Sequence, residues 1–352
     1  MTPTTTRHWI LSQKSVGRPV ISGHNSIFQL TTRAIPPLQS SDVLLKVLYL
    51  SNDPAQRLWI HANISPARLY TTPVEVGETM RSYSSIAEVV ESKSERLQVG
   101  DLVSCGTGWC EYAVVPAAEC MALPKIPNVS PTHFSGVFGV AGVTAYYGLV
   151  DMVHAGPDDA VVISGAAGAV GSAAVQIAKH VLGCKKVVGI AGTDEKCRWV
   201  ESLGADVCLN YKGEGFQEAL ARATEPFVEV FFDNVGGDVL DLMLKRLAKG
   251  GRVAACGAMA DYNSADEGRK GIMNWYDVIA MRMSIRGLVV TDATAARWAE
   301  ITNALIQGYK EGKIKVTEEG QTIVEASFED VPKTWMRLFD GQSMGKLLTK
   351  LV

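Results

Sequence analysis

Six short apolar runs alternate with helical stretches after residue 160, and this alternation constrains the fold more than any other feature. The runs are VVIS, KVVGIAG, VCLN, VEVFFDN, RVAACG and SIRGLVV. Apolar runs of about five residues are typical of strands buried on both faces of a parallel sheet. Because helices separate the runs, the sequence predicts an α/β fold with a doubly wound, six-stranded parallel sheet.

A glycine-rich turn joins the first of these strands to its helix, in the stretch VVISGAAGAVGSAAVQIAKH. Ala166, Gly168 and Gly171 occupy the three positions of a dinucleotide-binding fingerprint, with alanine in place of the first glycine. The N–H groups at a helix start attract a pyrophosphate if the side chains there are small. Close helix packing alone also explains small residues, but the position after the first strand favours dinucleotide binding.

The end of the second strand distinguishes NAD from NADP. In NAD sites an acidic residue there accepts hydrogen bonds from the ribose hydroxyls, whereas here the strand ends in Gly192. A missing acid removes repulsion toward a 2′-phosphate, and Lys196 supplies a cation close by. The sequence therefore favours NADP. NAD stays open as an alternative because Asp194 follows closely, although we expect Asp194 to lie in a first helical turn that Thr193 caps. The alternative role for Lys196 is that of a solvated surface residue.

The charge balance and hydropathy exclude several classes of partner. Lys and Arg total 34 against 37 Asp and Glu, without a basic block, so we expect neither nucleic acid nor an anionic membrane as a partner. The start MTPTTTRHWI lacks the apolar core of a signal peptide, and no apolar run reaches the roughly 18 residues of a membrane helix. Seven scattered cysteines suit a reducing compartment. We therefore expect a cytoplasmic protein.

Strand and turn patterns fill residues 20–125, so the first half is predicted to be mainly β. Motifs along nearly the whole chain are SNDPAQR, VGETMRSY, GAAGAVGSAAVQIAK, AGTDEK, LGAD, NYK, FDNVGG, CGAMADYN, GLVVTD and GQSMGK. In them the chain resembles the zinc-independent branch of the medium-chain dehydrogenase/reductase superfamily. Within that branch it is similar to the NADP-dependent prostaglandin reductase, leukotriene B4 dehydrogenase and alkenal double-bond reductase group.

The resemblance implies a domain organisation and an assembly. A GroES-like substrate domain would span residues 1–128, a Rossmann NADP-binding domain 129–300, and a segment 301–352 would return to the first domain. The resemblance also implies that the chain can form a homodimer.

The resemblance further implies a reaction. NADPH would reduce the C=C bond of an α,β-unsaturated carbonyl compound, an enone or enal, with hydride added to the β-carbon and a proton to the α-carbon. Tyr262 matches a tyrosine that similar reductases place beside the nicotinamide ribose, so we expect it to be catalytic, with packing against the cofactor as its alternative role. Two other functions stay open: a zinc-independent NADPH quinone reductase and a catalytically silent NADPH-binding protein.

The cofactor contacts are carried over from the same resemblance, residue by residue. They are Asn52, Pro54, Gly168, Ala169, Val170, Gly171, Gly192, Lys196, Tyr211, Asn234, Cys256, Gly257, Tyr262, Leu288, Val289, Val290 and Ser343. Residues 168–171 would meet the pyrophosphate, Lys196 and Tyr211 the 2′-phosphate, and Asn234 the nicotinamide half. Cys256 is expected to be a small strand residue rather than a nucleophile.

A zinc site is the competing arrangement, since many related alcohol dehydrogenases use one. A catalytic zinc needs three protein ligands and a structural zinc lobe four closely spaced cysteines. Cys105 and Cys110 are close in sequence, but no histidine lies between Gly77 and Tyr112. We therefore expect no metal.

Two positions depart from the group's motifs. An aromatic residue commonly follows Asp-Pro, where this chain has Ala55, and an asparagine commonly stands where it has Ser343. The missing ring opens space for substrate. The serine side chain is shorter than that of asparagine, so its polar group extends less far toward the cofactor. We therefore do not extend prostaglandin-type specificity to this chain.

Overall fold

A computed structural model describes residues 3–264 and 271–352, which divide into two compact units. Unit 1 comprises Met1–Ser135 and Gln321–Val352, and unit 2 comprises Gly136–Gly320. Residue 300, where the sequence analysis ends the NADP-binding domain, lies inside a helix of unit 2, Ala295–Lys310. That helix buries Ile301 and Leu305, so its whole length stays with unit 2.

Strands outnumber α-helices in the described residues. The strands are β1 Thr5–Leu11, β2 Phe28–Ala34, β3 Asp42–Ser51, β4 Ser85–Ser92, β5 Leu102–Cys105, β6 Tyr112–Pro116, β7 Met121–Ala122, β8 Ala160–Ile163, β9 Lys186–Ala191, β10 Val207–Asn210, β11 Val228–Asp233, β12 Leu247–Ala255, β13 Ser284–Gly287, β14 Gln321–Ala326 and β15 Lys346–Leu351. The α-helices are α1 Gln56–Trp59, α2 Val140–Tyr146, α3 Ala169–Gln176, α4 Asp194–Ser202, α5 Phe216–Ala223, α6 Gly237–Leu244, α7 Trp275–Met281, α8 Ala295–Lys310 and α9 Val331–Met336.

Unit 2 is built on a six-stranded sheet in the order β10-β9-β8-β11-β12-β13, in which all neighbouring strands are parallel. The sequence prediction of a doubly wound parallel sheet is confirmed. The strand order reverses between β8 and β11, and dinucleotides bind at the carboxyl ends of strands at such a switch point. The loops after β8 and β11 are therefore where we expect a dinucleotide to bind.

The central strands of unit 2 are buried on both faces, as their apolar sequences predict. All four residues of β8 are buried, and Val162, Val188 and Phe231 belong to one apolar cluster. Helix α4 comes close to this sheet because Gly189 has no side chain. A Cβ at Gly189 would lie 2.7 Å from Val200 Cγ1, so a larger residue would push α4 away.

Unit 1 contains a larger mixed sheet and a separate hairpin of β1 and β2. The sheet order is β14-β15-β3-β4-β5-β7, and β6 pairs with β3 beside it. Strand β15 pairs antiparallel with β3, with Leu348 opposite Ser51. This pairing joins a late strand of the chain to the sheet formed by β3–β7. The predicted β-rich character of the first half is confirmed.

Aromatic rings fill the core of unit 1. The ring centroid of Trp109 lies 5.1 Å from that of Phe28 and 5.8 Å from that of Trp335. Trp335, on α9, also donates its indole N–H to the carbonyl oxygen of Asp53 at 3.4 Å. This core therefore fixes the loop after β3, which carries two of the predicted site residues. Across the described residues, no helix combines the length and the apolar character needed to cross a membrane.

Candidate cofactor site

The glycine turn after β8 is too tight for a side chain at Gly171. A Cβ at Gly171 would lie 2.2 Å from the carbonyl oxygen of Gly165, and Gly165 itself has a φ of +58°. Gly168 is the N-cap of α3 and has no side chain to cover the first N–H groups of the helix. These groups are therefore presented at the helix start, as a pyrophosphate site requires.

The alanine at the first fingerprint position fits because a neighbour is glycine. Ala166 is fully buried and donates its backbone N–H to the carbonyl oxygen of Ile190 at 2.9 Å. Its Cβ lies 3.2 Å from where a Cβ at Gly189 would be. The methyl group thus occupies space that Gly189 leaves beside β9, and the turn keeps its shape.

A buried network joins the carboxyl ends of β8 and β11. Asp233 is 1% exposed and accepts hydrogen bonds from Ser164 Oγ at 2.7 Å and from the backbone N–H of Val235 and Gly236, each at 3.0 Å. Burial raises its pKa. Asn234 donates from Nδ2 to the carbonyl oxygen of Ser164 at 2.7 Å. The structure therefore places Asn234 next to the start of the glycine turn, with its side-chain nitrogen hydrogen-bonded to the protein backbone.

The loop after β12 reaches the same edge of the sheet. A Cβ at Gly257 would lie 2.8 Å from the carbonyl oxygen of Asn234 and 3.4 Å from Tyr262 Oη. Tyr262 Oη accepts a hydrogen bond from the backbone N–H of Ala258 at 3.3 Å. The structure thus brings together three predicted residues from two loops, namely Asn234, Gly257 and Tyr262.

The remaining predicted residues of this edge follow β12 and β13. Desolvation raises the pKa of the Cys256 thiol to about 12, and Asp233 adds to the effect, so the thiol stays neutral and is a poor nucleophile. Leu288 is buried and extends the pairing of β13 by donating its N–H to the carbonyl oxygen of Ala255 at 3.0 Å. Val289 and Val290 follow it directly. Their contacts with a cofactor stay predictions.

The tip of β9 carries the predicted 2′-phosphate residues. A Cβ at Gly192 would lie 3.2 Å from Tyr211 Cε1 and 3.7 Å from Lys212 Cε, so glycine leaves room for these two side chains. The ammonium group of Lys212 lies 5.6 Å from the centroid of the Tyr211 ring. The sequence analysis did not single out Lys212, although it is the third residue of the NYK motif. Its position next to Tyr211 was the available signal.

Lys196 projects from the first turn of α4 beside this group. Thr193 Oγ1 accepts the N–H of Lys196 at 3.2 Å, which confirms the predicted N-cap. Burial, followed by the positive charge of Lys212, lowers the pKa of Lys196. The acidic residue that would suit NAD is engaged elsewhere, since Asp194 Oδ1 accepts from Asn210 Nδ2 at 2.7 Å.

Three predicted site residues belong to unit 1. Asn52 is 1% exposed and donates from Nδ2 to Thr349 Oγ1 at 3.0 Å. Pro54 precedes α1, and its carbonyl oxygen accepts the N–H of Arg57 at 3.0 Å. Ser343 is half-buried in the loop before β15. The roles of these three residues toward a cofactor stay predictions.

A buried ion pair beside Asn52 escaped the sequence analysis. Lys346 Nζ lies 2.5 Å from Asp53 Oδ1, and both side chains are largely enclosed. Ser51 Oγ donates to the other carboxylate oxygen of Asp53 at 2.5 Å. The pair joins β15 to the loop after β3, so it holds the loop that carries Asn52 and Pro54.

Over residues 3–264 and 271–352, no three or more His, Cys, Asp or Glu side chains are grouped so as to hold a metal ion. The neighbouring Cys120 thiol and burial raise the pKa of Cys105. Burial raises the pKa of Cys110 to about 12, which disfavours the thiolate that zinc binds.

Comparison with known proteins covers almost the entire chain. One family model, described as an N-terminal domain of oxidoreductase, matches residues 7–123, and another, described as zinc-binding dehydrogenase, matches residues 169–307. Prostaglandin reductase 1 of Bos taurus is 34% identical over 347 residues, 98% of each chain. The NADPH-dependent curcumin reductase of Escherichia coli (strain K12) is 32% identical over 350 residues, 98% of this chain and 96% of its own. A crystal structure of CurA in complex with NADPH from Vibrio vulnificus has a TM-score of 0.86 and 32% identity, covering 98% of this chain and 99% of that one.

The parallel sheet with its glycine turn, next in the chain to a mixed-sheet unit, defines an oxidoreductase that binds a dinucleotide. By its identity to relatives over nearly their whole length, the chain belongs to the zinc-independent medium-chain dehydrogenase/reductases, in the prostaglandin reductase group. Units 1 and 2 are its GroES-like and Rossmann domains.

NADP(H) is the cofactor of this reductase, and the residues of unit 2 fit it. The uncovered helix start at Gly168 suits the pyrophosphate, and the two lysines beyond β9 suit a 2′-phosphate. Gly192 leaves room beside the strand tip for the side chains of Tyr211 and Lys212. Backbone and side-chain atoms of unit 2 thus provide the features that NADP(H) requires.

Proposed function

We propose that this enzyme reduces the C=C bond of α,β-unsaturated carbonyl compounds, enones and enals, with NADPH. The observation that carries the proposal is the position of the Tyr262 hydroxyl. It lies in the loop after β12, within hydrogen-bond distance of Ala258 N, at the sheet edge that also holds Asn234 and the glycine turn. A hydroxyl donor at this edge is what the developing oxygen charge of such a reaction requires.

Several residues of the chain contribute to the proposed reaction by binding NADPH and the substrate. When bound, NADPH supplies the hydride that is added to the β-carbon. The helix start at Gly168 binds the pyrophosphate and the lysines beyond β9 bind the 2′-phosphate, so that together they orient the dinucleotide. Tyr262 donates a hydrogen bond to the substrate oxygen, so that negative charge can develop there, and the proton for the α-carbon comes from this hydroxyl or from water.

An aromatic surface of unit 1 supports a small, largely apolar substrate. Ala55 packs against an apolar cluster that contains Trp59, and the ring of Tyr83 lies edge-on to Trp59 at 4.6 Å. Tyr83 Oη donates to Tyr70 Oη at 3.3 Å, and burial raises the pKa of Tyr83. We propose that the neutral hydroxyl groups of Tyr70 and Tyr83 and the small side chain of Ala55 contribute the part of unit 1 that binds the enone.

The assembly we propose is a homodimer formed through the β13 edge of the sheet. Among the described strands, β13 has β12 as its one neighbour, and all of its residues are exposed. The side chains of Trp275, Tyr276 and Ile279 on the adjoining α7 are also exposed. Light scattering with size-exclusion chromatography tests this: Ile285→Lys should convert a dimer into a monomer, and a monomeric parent protein would contradict it.

We also propose a cytoplasmic location. All seven cysteines are free thiols, and six of them are buried. Free thiols are the usual state in a reducing compartment. Fractionation of cells that express the full chain checks this, and recovery outside the cytoplasm would contradict it.

A panel of substrates with product analysis tests the proposed reaction. Simple alkenals, aryl enones, saturated aldehydes and quinones are each mixed with NADPH, and the products are identified. We expect saturated carbonyl products from the alkenals and enones. Faster turnover of quinones would favour a quinone reductase. An absence of NADPH consumption with every substrate would favour a silent NADPH-binding protein.

A further inference from the structure

Two lysines that are far apart in sequence meet beyond the tip of β9. Lys196 lies in the first turn of α4, and Lys212 follows β10. Asn210 hydrogen-bonds both to Asp194 in that turn and to the backbone of Lys212, and Lys212 Cε lies 3.7 Å from the Cβ position of Gly192. Burial lowers the pKa of Lys196, and the positive charge of Lys212 adds to this effect. Like charges held together in this way repel each other, and an anion between them relieves the repulsion.

Asn210 fixes the relative position of the two lysines. Its Nδ2 donates to Asp194 Oδ1 at 2.7 Å, and its Oδ1 accepts the backbone N–H of Lys212 at 3.1 Å. The turn is also anchored to β9, because Tyr211 donates its N–H to the carbonyl oxygen of Ala191 at 3.0 Å. One amide side chain therefore joins the first turn of α4 to the turn that carries Lys212.

The same amide engages the carboxylate that would favour NAD. Asp194 is in the first turn of α4, where a free carboxylate would repel a 2′-phosphate and could bind ribose hydroxyls. Its bond to Asn210 occupies one carboxylate oxygen and directs it toward β10. The Tyr211 ring lies close to both Gly192 and the Lys212 ammonium, so an aromatic surface accompanies the cation at the tip of β9.

We propose that Lys212 is a second cation of the 2′-phosphate subsite, beside Lys196 at the tip of β9, and that Asn210 is the positioning residue that sets its place. This inference rests on the use of NADPH as cofactor. It adds two selectivity-determining residues to the predicted Lys196 and Tyr211. The phosphate would bind between the two ammonium groups, each of which donates a charge-assisted hydrogen bond.

Fragment binding tests the role of Lys212 without any catalysis. Calorimetry measures the Kd of adenosine 2′,5′-bisphosphate and of AMP for the parent protein, Lys212→Met and Lys249→Met, a matched exposed lysine on β12. Loss of one charged contact should weaken bisphosphate binding of Lys212→Met by about tenfold or more, with AMP binding nearly unchanged. Lys249→Met should bind both as the parent does.

The outcomes separate this inference from the cofactor assignment. If the parent prefers the bisphosphate strongly and Lys212→Met keeps that preference in full, the inference about Lys212 is overturned while NADPH use stands. If the parent binds the bisphosphate no better than AMP, the cofactor assignment itself fails. Equal weakening of both ligands in Lys212→Met would indicate a general structural effect and would also overturn the inference.

A charge-swap pair tests the positioning role of Asn210. Asn210→Asp places two carboxylates opposite each other and should lower the ratio of NADPH to NADH affinity. The double variant Asp194→Asn with Asn210→Asp restores a donor–acceptor pair across the same gap. We expect it to recover most of the lost selectivity, whereas a merely structural role would change the melting temperature and leave the affinity ratio unchanged in both variants.

Discussion

The carbonyl oxygen of Gly165 lies so close to Gly171 that a Cβ on Gly171 would be 2.2 Å away from it. No rotation of a side chain can relieve this contact, because the backbone fixes the Cβ position and the oxygen belongs to the backbone. At Gly168, by contrast, a Cβ would lie 3.3 Å from the same oxygen, which a small shift can accommodate. The two glycines of the turn therefore differ sharply in what they tolerate.

This difference predicts the behaviour of two alanine variants. Gly171→Ala must move α3 away from the turn, so we expect a loss of about 1 to 3 kcal/mol in the free energy of unfolding and much weaker NADPH binding. Gly168→Ala should fold with nearly the parent stability. Urea denaturation and NADPH fluorescence titration measure both effects, and equal stabilities of the two variants would contradict the geometry.

Replacement of Lys196 by alanine should reduce the preference for NADPH over NADH. A charge-assisted phosphate contact is worth about 1 to 3 kcal/mol, so NADPH affinity should fall by about 5- to 150-fold while NADH affinity changes little. Arg198→Ala, an exposed residue on the same helix, is the control. Equal losses for both dinucleotides would remove Lys196 from the 2′-phosphate site.

The buried pair of Asp53 and Lys346 predicts a strongly non-additive double-mutant cycle. Asp53→Asn leaves the Lys346 ammonium without its carboxylate in an enclosed site, which should cost about 3 to 5 kcal/mol of stability. Lys346→Met removes that charge, so the double variant should recover a large part of the loss. Chemical denaturation measures the cycle. Additive losses would mean that the two charges act independently.

The pH dependence of stability should contain a contribution from His133. Burial lowers its pKa from about 6.5 to about 4 in the folded state, where Gln321 Nε2 donates to its Nε2 at 2.8 Å. The folded state thus binds this proton less readily than the unfolded state. The contribution is complete above about pH 6.5 and is lost as the pH falls toward 4, by about 2 kcal/mol at pH 5.

Denaturation at several pH values isolates the effect of His133. The variant His133→Gln should show a shallower fall in stability between pH 6.5 and 4 than the parent protein. The exposed His24 provides the control, and His24→Gln should keep the parent slope. Parallel curves for the parent and His133→Gln would show that this imidazole does not titrate differently on unfolding.

Tyr262→Phe should reduce turnover more than it reduces cofactor affinity. The variant keeps the ring and removes the hydroxyl, which bonds to Ala258 N at a rather long 3.3 Å. If the hydroxyl donates to the substrate, kcat with an alkenal should fall by about tenfold or more, while the Kd of NADPH changes little. An unchanged kcat would make the hydroxyl dispensable.

The sequence predicts unit 2 well because its signals are local. Apolar runs and the glycine turn determine the six parallel strands, and Thr193 caps α4 as its position before two acids indicates. The bonds of Asn234 to Ser164 and of Lys346 to Asp53 could not be predicted, because they join segments that are distant in sequence. Lys212 was missed for a related reason, since its significance depends on Lys196 of another element.

The position of the transferred hydride in the product decides whether this enzyme reduces C=C or C=O. NADPH carrying deuterium at the transferable position is incubated with the enzyme and an enal, and the product is analysed by NMR. We expect a saturated aldehyde with deuterium on the β-carbon. An unsaturated alcohol with deuterium on C1, the former carbonyl carbon, would contradict it.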